Sequence, residues 1–191
     1  MSKNLYIISG CNGAGKTTAS YTVLPEVLDC REFVNADEIA RGLSPFNSES
    51  VAIEAGRLML KRIDYLLSRE ETFSIETTLA TRSYINLVRS AQCKGYRVNI
   101  LFFWLRTPEL AMLRVTERVR RGGHNIPEDV IRRRYVAGIN NLFRLFIPEV
   151  DYWCIYDNSE QPRKKIASGS KDNGFEIFNV ELYKSIKKYV K

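Results

Sequence analysis

The chain of 191 residues carries a formal charge of +7, and 45% of its residues are hydrophobic and 27% charged. These values are typical of a soluble globular protein. The lack of a long apolar run or a signal peptide argues against a membrane protein, so we expect one cytoplasmic domain over residues 1–191. The basic excess leaves two partner classes open, a nucleic acid or a polyanionic small molecule. Four cysteines without metal-ligand spacing favour free thiols over a disulfide or a zinc site.

Strand-like and helix-like segments alternate along the chain. The apolar, strand-like runs are Leu5–Ser9, Glu32–Asn35, Thr72–Ile75, Val98–Leu105 and Tyr152–Tyr156. The helical patterns run from about Lys16 to near Pro25, over Ser48–Arg69 and Ser83–Lys94, and from new starts at Thr107 and Ile126. This alternation predicts an α/β fold, with a parallel sheet of about five strands covered by helices on both faces. A hairpin of Lys164–Ala167 and Phe175–Val180 should precede a terminal helix.

The segment GCNGAGKT, Gly10–Thr17, fits the phosphate-loop pattern G-x-x-x-x-G-K-[ST] and lies between a predicted strand and a predicted helix. Glycines let backbone N–H groups turn towards phosphates, because no Cβ blocks their approach. Lys16 should reach the β- and γ-phosphates, and the Thr17 hydroxyl should coordinate Mg²⁺. The predicted nucleotide-binding residues are Gly10, Asn12, Gly13, Ala14, Gly15, Lys16, Thr17 and Thr18. The pattern predicts bound ATP or GTP but does not establish catalysis.

Two carboxylates stand near the ends of the strands that follow. Asp37 lies in NADEIA and Glu76 in SIETTLA. In an open parallel sheet the ligand binds beyond the carboxyl ends of the strands, so both should face the nucleotide from one edge. Asp37 could take the proton of an acceptor hydroxyl or instead cap the helix that follows it. Glu76 could hold a water of Mg²⁺ or bind other hydroxyls of the acceptor.

The segment from residue 106 to 135 is rich in arginine and contains no lysine. Its arginines are Arg106, Arg114, Arg118, Arg120, Arg121, Arg132, Arg133 and Arg134. Two predicted helices joined by GGHN have the composition of a lid that brings guanidinium groups to a transferring phosphate. The alternative is a solvated helix pair with ion pairs to Glu109 and Glu117. We expect His124, on the glycine-flanked tip, to stabilise the turn rather than to act as a base.

Two absences narrow the class of nucleotide-binding protein. We expect the chain to lack the apolar strand ending in aspartate that is typical of a motor ATPase. It also lacks the N-K-x-D signature by which familiar GTPase switches read guanine. Both absences favour a small-molecule kinase.

Together, the strings GCNGAGKTT, NADEIA, SIETTLA, RVTERVRRGGHNIPEDVIRRRY and YDNS make the chain resemble the zeta toxin family of P-loop kinases. The resemblance covers about residues 5–159, with the motifs in the family's order. Zeta toxins are the toxin halves of bacterial toxin–antitoxin pairs. The characterised members phosphorylate the 3′-hydroxyl of the sugar in UDP-N-acetylglucosamine.

The resemblance implies ATP and Mg²⁺ at Lys16 and Thr17, and Asp37 as the base for the acceptor hydroxyl. It implies an acceptor site at Glu76, Thr77 and Arg82. It also implies two lid arginines, for which we choose Arg118 and Arg134 while Arg121 and Arg133 stay open.

The acceptor and the partner follow from the resemblance alone. The implied acceptor is UDP-N-acetylglucosamine, and the implied partner is a small helical antitoxin. An antibiotic or nucleoside kinase is the nearest alternative, and a nucleotide-dependent nucleic-acid-binding protein is a more distant one. The GGHNIP turn departs from the lid of the best-studied toxins, so the acceptor remains an expectation from the family.

Overall fold

The computed structural model describes residues 3–190, in which strands and helices alternate except at the helix pairs α2–α3 and α5–α6 and the consecutive strands β5–β7. The strands are β1 (Asn4–Ser9), β2 (Phe33–Val34), β3 (Phe73–Thr77), β4 (Arg97–Trp104), β5 (Tyr152–Asp157), β6 (Lys164–Ser170) and β7 (Gly174–Ile177). The helices are α1 (Lys16–Glu26), α2 (Ala36–Leu43), α3 (Ala52–Ser68), α4 (Tyr84–Cys93), α5 (Pro108–Arg120), α6 (Glu128–Asn141) and α7 (Val180–Lys187). A 3₁₀ turn, Ser48–Val51, leads into α3, and a π-helical turn, Leu142–Phe146, extends α6.

One sheet runs through the molecule in the order β2-β3-β1-β4-β5-β6-β7. The first five strands are parallel, and β6 and β7 continue the sheet as an antiparallel hairpin. Seven successive residues of β4, Val98–Trp104, are buried. Because successive side chains of a strand point to opposite faces, this burial requires cover on both faces of the sheet. The predicted α/β fold with a five-stranded parallel sheet is confirmed, and the hairpin extends it to seven strands. The expected absence of an apolar strand that ends in aspartate is wrong, because β5 ends in Asp157.

Several boundaries differ from the prediction because polar side chains cap the neighbouring helices. The Asn179 side chain accepts a hydrogen bond from the Leu182 backbone N–H and starts α7, so the last strand ends at Ile177 instead of Val180. In the same way Asn35 caps α2, which shortens the predicted strand at residues 32–35 to two residues. Both asparagines adopt the extended backbone that suits a helix cap.

The register of strand pairing brings several of the predicted site residues to one edge of the sheet. In the parallel β1–β3 pair, Ile8 lies opposite Glu76, and in the β2–β3 pair Val34 lies opposite Ile75. Consequently Glu76, the loop that follows β1 and the start of α2 meet at the carboxyl ends of three adjacent strands. This is the edge at which open parallel sheets bind ligands.

The cysteines are free thiols, with Cys11, Cys30 and Cys154 buried and Cys93 exposed. None of the helices formed by residues 3–190 is both long enough and apolar enough to span a bilayer.

Candidate active site

The phosphate loop connects β1 to α1 in a conformation that depends on its glycines. Gly13 and Gly15 have φ angles of 77° and 76°, in the left-handed region that favours glycine. Gly10 passes so close to β4 that a Cβ atom would approach the Phe103 carbonyl oxygen to 2.1 Å. The loop is closed by a hydrogen bond from the Ala14 N–H to the Cys11 carbonyl oxygen at 3.2 Å. The sequence pattern therefore forms the compact turn that it predicts.

Lys16, Thr17 and Glu76 form a bonded cluster at the start of α1. The Lys16 ammonium group donates to the Cys11 carbonyl oxygen at 3.0 Å and lies 3.6 Å from Glu76 Oε1. Glu76 Oε2 accepts hydrogen bonds from the Thr17 hydroxyl at 2.8 Å and from Asn35 Nδ2 at 3.0 Å. Burial raises the pKa of Glu76 above its ordinary value, although Lys16 and Thr17 act in the opposite direction. Glu76 is thus a buried carboxylate held against the phosphate loop.

The chemistry of this cluster fits a magnesium ion. Mg²⁺ prefers oxygen ligands, and it is usually held by one or two protein oxygens together with substrate phosphates. The Thr17 hydroxyl and the Glu76 carboxylate supply such oxygens side by side. No group of three or more His, Cys, Asp or Glu side chains within residues 3–190 could hold a metal ion by itself. A metal here would therefore depend on the nucleotide for most of its ligands.

Asp37 is not the cap of α2. That position belongs to Asn35, whose side-chain oxygen accepts a hydrogen bond from the Asp37 backbone N–H at 2.9 Å. The Asp37 side chain lines the cleft next to the phosphate loop. Among the residues that the structure describes, no donor forms a hydrogen bond or ion pair with its carboxylate. The helix-capping alternative is therefore wrong, and the carboxylate is available to a ligand.

A cleft of about 1050 Å³ lies over the phosphate loop and brings most of the predicted site together. The predicted residues that line it are Asn12, Gly13, Gly15, Lys16, Thr17, Thr18, Asp37, Glu76 and Arg118. Its remaining walls come from α1, α2, α5 and the turn after α5. A cleft of this size can hold a nucleotide together with a second small molecule.

Five predicted residues do not line the cleft. Gly10 and Ala14 are buried behind the phosphate loop and shape it. The Thr77 hydroxyl accepts a hydrogen bond from the Leu79 N–H at 3.1 Å and so supports the turn after β3. Arg82 is exposed outside the cleft. Arg134 reaches the phosphate loop from α6, where its guanidinium group donates to Asn12 Oδ1 at 3.4 Å.

The turn between α5 and α6 places Arg118 at the cleft. The Gly122 N–H bonds to the Val119 carbonyl oxygen and the Gly123 N–H to that of Arg118, both at 2.9 Å, which is the Schellman ending of a helix. Gly122 supplies the left-handed φ of 86° that this ending needs. A Cβ on Gly123 would come within 2.6 Å of Arg118 Cγ, so this glycine leaves room for the arginine stem.

Arg118 keeps one donor unused. Its Nη2 donates to the His124 carbonyl oxygen at 3.1 Å, whereas its buried Nε has no hydrogen-bond partner within residues 3–190. A buried N–H without a partner is costly and rare, and a ligand oxygen would satisfy it. The backbone of His124 thus stabilises the turn. Burial also lowers the pKa of its imidazole, although Asp37 acts in the opposite direction.

The other arginines of this segment divide into two groups. Arg132 pairs with Glu109 at 2.7 Å, as the ion-pair alternative expected. Arg106 binds the Asp157 carboxylate, and Arg114 binds backbone carbonyl oxygens of the loop that follows β5. Arg121 is exposed and lines the cleft, whereas Arg133 is exposed and does not. Of the two arginines that the sequence left open, the geometry favours Arg121.

Sequence reasoning missed several residues of the site. Asn35 bonds to Glu76, Asn158 bonds to the phosphate loop, and Arg41 and Tyr21 line the cleft. The motif strings NADEIA and YDNS contain the two asparagines, but an asparagine in a loop carries no signal of its partner. Arg41 lies one turn after Asp37 on α2, and this spacing could have identified it.

Comparison of the sequence with known proteins identifies one family and one curated relative. A family model described as Zeta toxin matches residues 1–161. An uncharacterized protein of Haemophilus influenzae is 29% identical over 126 residues, which cover 66% of this chain and 88% of the relative.

Solved structures give the same fold. The AvrRxo1-ORF1:AvrRxo1-ORF2 complex with sulphate ions matches with a TM-score of 0.81 at 19% identity, and the complex with ATP matches with 0.78. Both alignments cover 97% of this chain, which spans 63% of the length of the matched chains. The PezAT toxin–antitoxin system of Streptococcus pneumoniae matches with a TM-score of 0.65 at 17% identity, over 98% of this chain and 86% of the other. Because the family model accounts for most of the sequence, the chain belongs to the zeta toxin family.

Proposed function

We propose that this protein is an ATP-dependent kinase that transfers the γ-phosphate to a hydroxyl group of a small molecule. The observation that carries the proposal is the free carboxylate of Asp37 in the same cleft as the phosphate loop and Arg118. Family membership supports the kinase class, and a complex of the structurally similar AvrRxo1 proteins contains ATP. The protein is expected to act as a single domain with the α5–α6 hairpin as its lid.

Each residue has a defined task in the proposed transfer. Asp37 accepts the proton of the acceptor hydroxyl while the oxygen of that hydroxyl bonds to the γ-phosphorus. The bond from this phosphorus to the β–γ bridging oxygen breaks at the same time, and ADP leaves. Lys16 binds the β- and γ-phosphates, and Arg118 donates to the γ-phosphate with the N–H that is otherwise unused. Arg134 bonds to Asn12 of the phosphate loop, and we propose that it also contacts the γ-phosphate.

Glu76 belongs to the nucleotide side of this site. Its bonds to Lys16 and Thr17 support a role beside Mg²⁺ more than one at the acceptor. Thr17 and Glu76 would hold Mg²⁺, which would supply positive charge beside the phosphate oxygens. The acceptor is proposed to contact Asp37, Arg41 and the turn at residues 121–124, which line the same cleft as the phosphate loop.

The first acceptor to test is UDP-N-acetylglucosamine, at its sugar 3′-hydroxyl. The test is a screen in which the purified protein, Mg²⁺ and ATP labelled at the γ-phosphate are incubated with this compound and with nucleosides and hydroxyl-bearing antibiotics. We expect labelled product from UDP-N-acetylglucosamine. Product from another hydroxyl compound alone would retain the kinase and replace the acceptor.

A helical antitoxin is the proposed protein partner, since PezAT is a toxin–antitoxin system with the same fold. A nucleic-acid-binding role remains the competing class. It predicts salt-sensitive binding to DNA or RNA without acceptor-dependent transfer.

A further inference from the structure

The loop that follows β5, Asp157–Glu160, joins the phosphate loop to helix α5. The Asp157 carboxylate is buried and binds the Arg106 guanidinium group at 2.8 Å. The Asn158 backbone N–H donates to the Trp104 carbonyl oxygen at 2.9 Å, and the Arg106 N–H donates to Ser159 Oγ at 3.0 Å. The loop is therefore fixed to the end of β4 by its own side chains and backbone.

The side chain of Asn158 reaches the phosphate loop. Its amide Nδ2 donates to the Ala14 carbonyl oxygen at 2.7 Å, in a buried contact between residues 144 positions apart. Gln161 Nε2 donates to the other end of the same amide at 3.2 Å, which fixes the orientation of the group. A Cβ on Gly15 would come within 2.8 Å of Asn158 Nδ2, so the amide lies directly against the Ala14–Gly15 peptide. The N–H of this peptide belongs to the turn that cradles phosphates.

Arg114 binds the same loop from α5. Its two terminal nitrogens donate to the carbonyl oxygens of Asn158 and Ser159, at 2.9 and 2.8 Å. Although Arg114 lines the cleft, this fork commits its guanidinium group to backbone. Arg118 lies one helical turn further along α5, on the same side as Arg114. Gly13 also contacts α5 closely, because a Cβ there would come within 2.7 Å of the Ala111 carbonyl oxygen.

We propose that Asn158 and Arg114 are positioning residues that hold the phosphate loop and Arg118 in a fixed mutual geometry. Asn158 fixes the Ala14–Gly15 peptide for the incoming phosphates. Arg114 fixes α5 to the same loop, which would keep Arg118 at a constant distance from the bound phosphates. The inference rests on the proposed binding of ATP, and neither residue touches the reacting atoms.

The first test measures the affinity of the folded protein for a fluorescent ATP analogue, together with its thermal unfolding. Asn158→Ala removes the donor to Ala14 without adding charge, and we expect it to weaken binding about tenfold. Asn173→Ala, in the exposed turn between β6 and β7, is the matched control and should bind normally. If Asn158→Ala binds the analogue within about twofold of the wild type, the role of Asn158 is overturned, whatever its melting temperature.

The second test keeps the charge of Arg114 and removes only its fork. Arg114→Lys should retain the fold, weaken the analogue about threefold and lower the transfer rate about tenfold, whereas Arg120→Lys on the exposed side of α5 should change neither. In a double-mutant cycle, Arg114→Lys should cause almost no further loss of rate once Arg118 is alanine, because it acts through Arg118. Full additivity of the two losses would overturn the link to Arg118.

The binding arm distinguishes this inference from the proposed function. A wild-type protein that binds the analogue but phosphorylates no acceptor would count against the kinase function. The affinities of the Asn158 and Arg114 variants would still test whether these two residues position the phosphate loop. Wild-type affinity in both variants would overturn the positioning roles of Asn158 and Arg114, even if transfer is observed.

Discussion

The polar groups in one part of the cleft lining are bonded to one another, whereas two groups in another part have no partner among residues 3–190. The first part, the phosphate-loop wall, consists of residues 12, 13 and 15–18 and Glu76, and there Lys16, Thr17 and Glu76 are bonded together. The second part, the hairpin wall, consists of Asp37, Arg41, Arg118 and residues 121–124, and its unpartnered groups are the Asp37 carboxylate and Arg118 Nε.

This difference separates two kinds of preorganisation. The phosphate-loop wall is complete before a nucleotide arrives, so it adds little reorganisation at the moment of reaction. The hairpin wall obtains its missing partners from the substrates. Substitutions in the first wall should therefore alter stability and nucleotide affinity as well as rate, while those in the second should alter mainly the rate or the acceptor affinity.

The largest effect is expected at Lys16. Lys16→Ala removes the cation from the β- and γ-phosphates and leaves the buried Glu76 without its ion-pair partner. We expect transfer below about a thousandth of the wild-type rate, with weaker ATP binding and a lower melting temperature. Lys61→Ala, at an exposed site on α3, is the control. Near-normal turnover would contradict the assignment of the phosphate loop.

At Arg118 the rate should fall without a matching loss of stability. Arg118→Ala removes the guanidinium group that we propose to contact the γ-phosphate, and an arginine in this role contributes about 10³–10⁵ in rate. Because its Nε is already unsatisfied, the melting temperature should change little. Steady-state transfer and thermal unfolding measure the two quantities, with the exposed Arg133→Ala as control. A turnover within about tenfold of the wild type would assign this phosphate to other residues.

Glu76 should show a trade-off between stability and activity. Burial raises its pKa above the ordinary value of 4.5, so the folded protein holds this proton more tightly than the unfolded chain does. Its contribution to stability is fully present below pH 4.5 and is lost as the pH rises through the folded pKa. Glu76→Gln does not ionise, so at pH 7 it avoids a buried charge and should raise the melting temperature of the nucleotide-free protein.

The same substitution should lower the transfer rate about 10–100-fold, because the phosphate-loop wall loses its carboxylate. Melting curves between pH 4 and 8 should also be flatter for the variant than for the wild type. A variant that is less stable than the wild type at pH 7 would contradict the direction of the pKa shift.

The smallest effect is expected at Arg41. Its ion pair with Glu38 is largely exposed, so Arg41→Ala should change the free energy of unfolding by less than about 0.5 kcal/mol. Because Arg41 lines the acceptor side of the cleft, we expect the KM of the acceptor to rise about threefold to tenfold, with kcat and ATP affinity unchanged. Arg57→Ala, exposed on α3, is the control. A changed ATP affinity would place Arg41 on the nucleotide side.

The sequence predicted the features that depend on contiguous residues or on strand ends. The phosphate loop follows from local glycine chemistry, and the position of Glu76 follows from parallel strands that end at one edge. Contacts between distant segments were not predictable. The 144-residue separation between Ala14 and Asn158 leaves no periodic pattern, and the division of the arginines depends on which carbonyls and carboxylates lie nearby.

The role of Asp37 could be narrowed to two possibilities from the sequence, but the choice between them needed the structure. A carboxylate in the first turn of a helix suits a cap and a base equally well in sequence. The structure removes the first choice because Asn35 already caps α2.

The most direct test compares transfer and ATP binding for Asp37→Asn. Asp129→Asn, also the second residue of its helix but exposed on α6, is the control. With the acceptor found in the screen, we expect Asp37→Asn to lower kcat about 10²–10⁴-fold, while ATP affinity and melting temperature stay close to those of the wild type. Wild-type transfer by Asp37→Asn would contradict the assignment of the base, and with it the proposed division of the cleft.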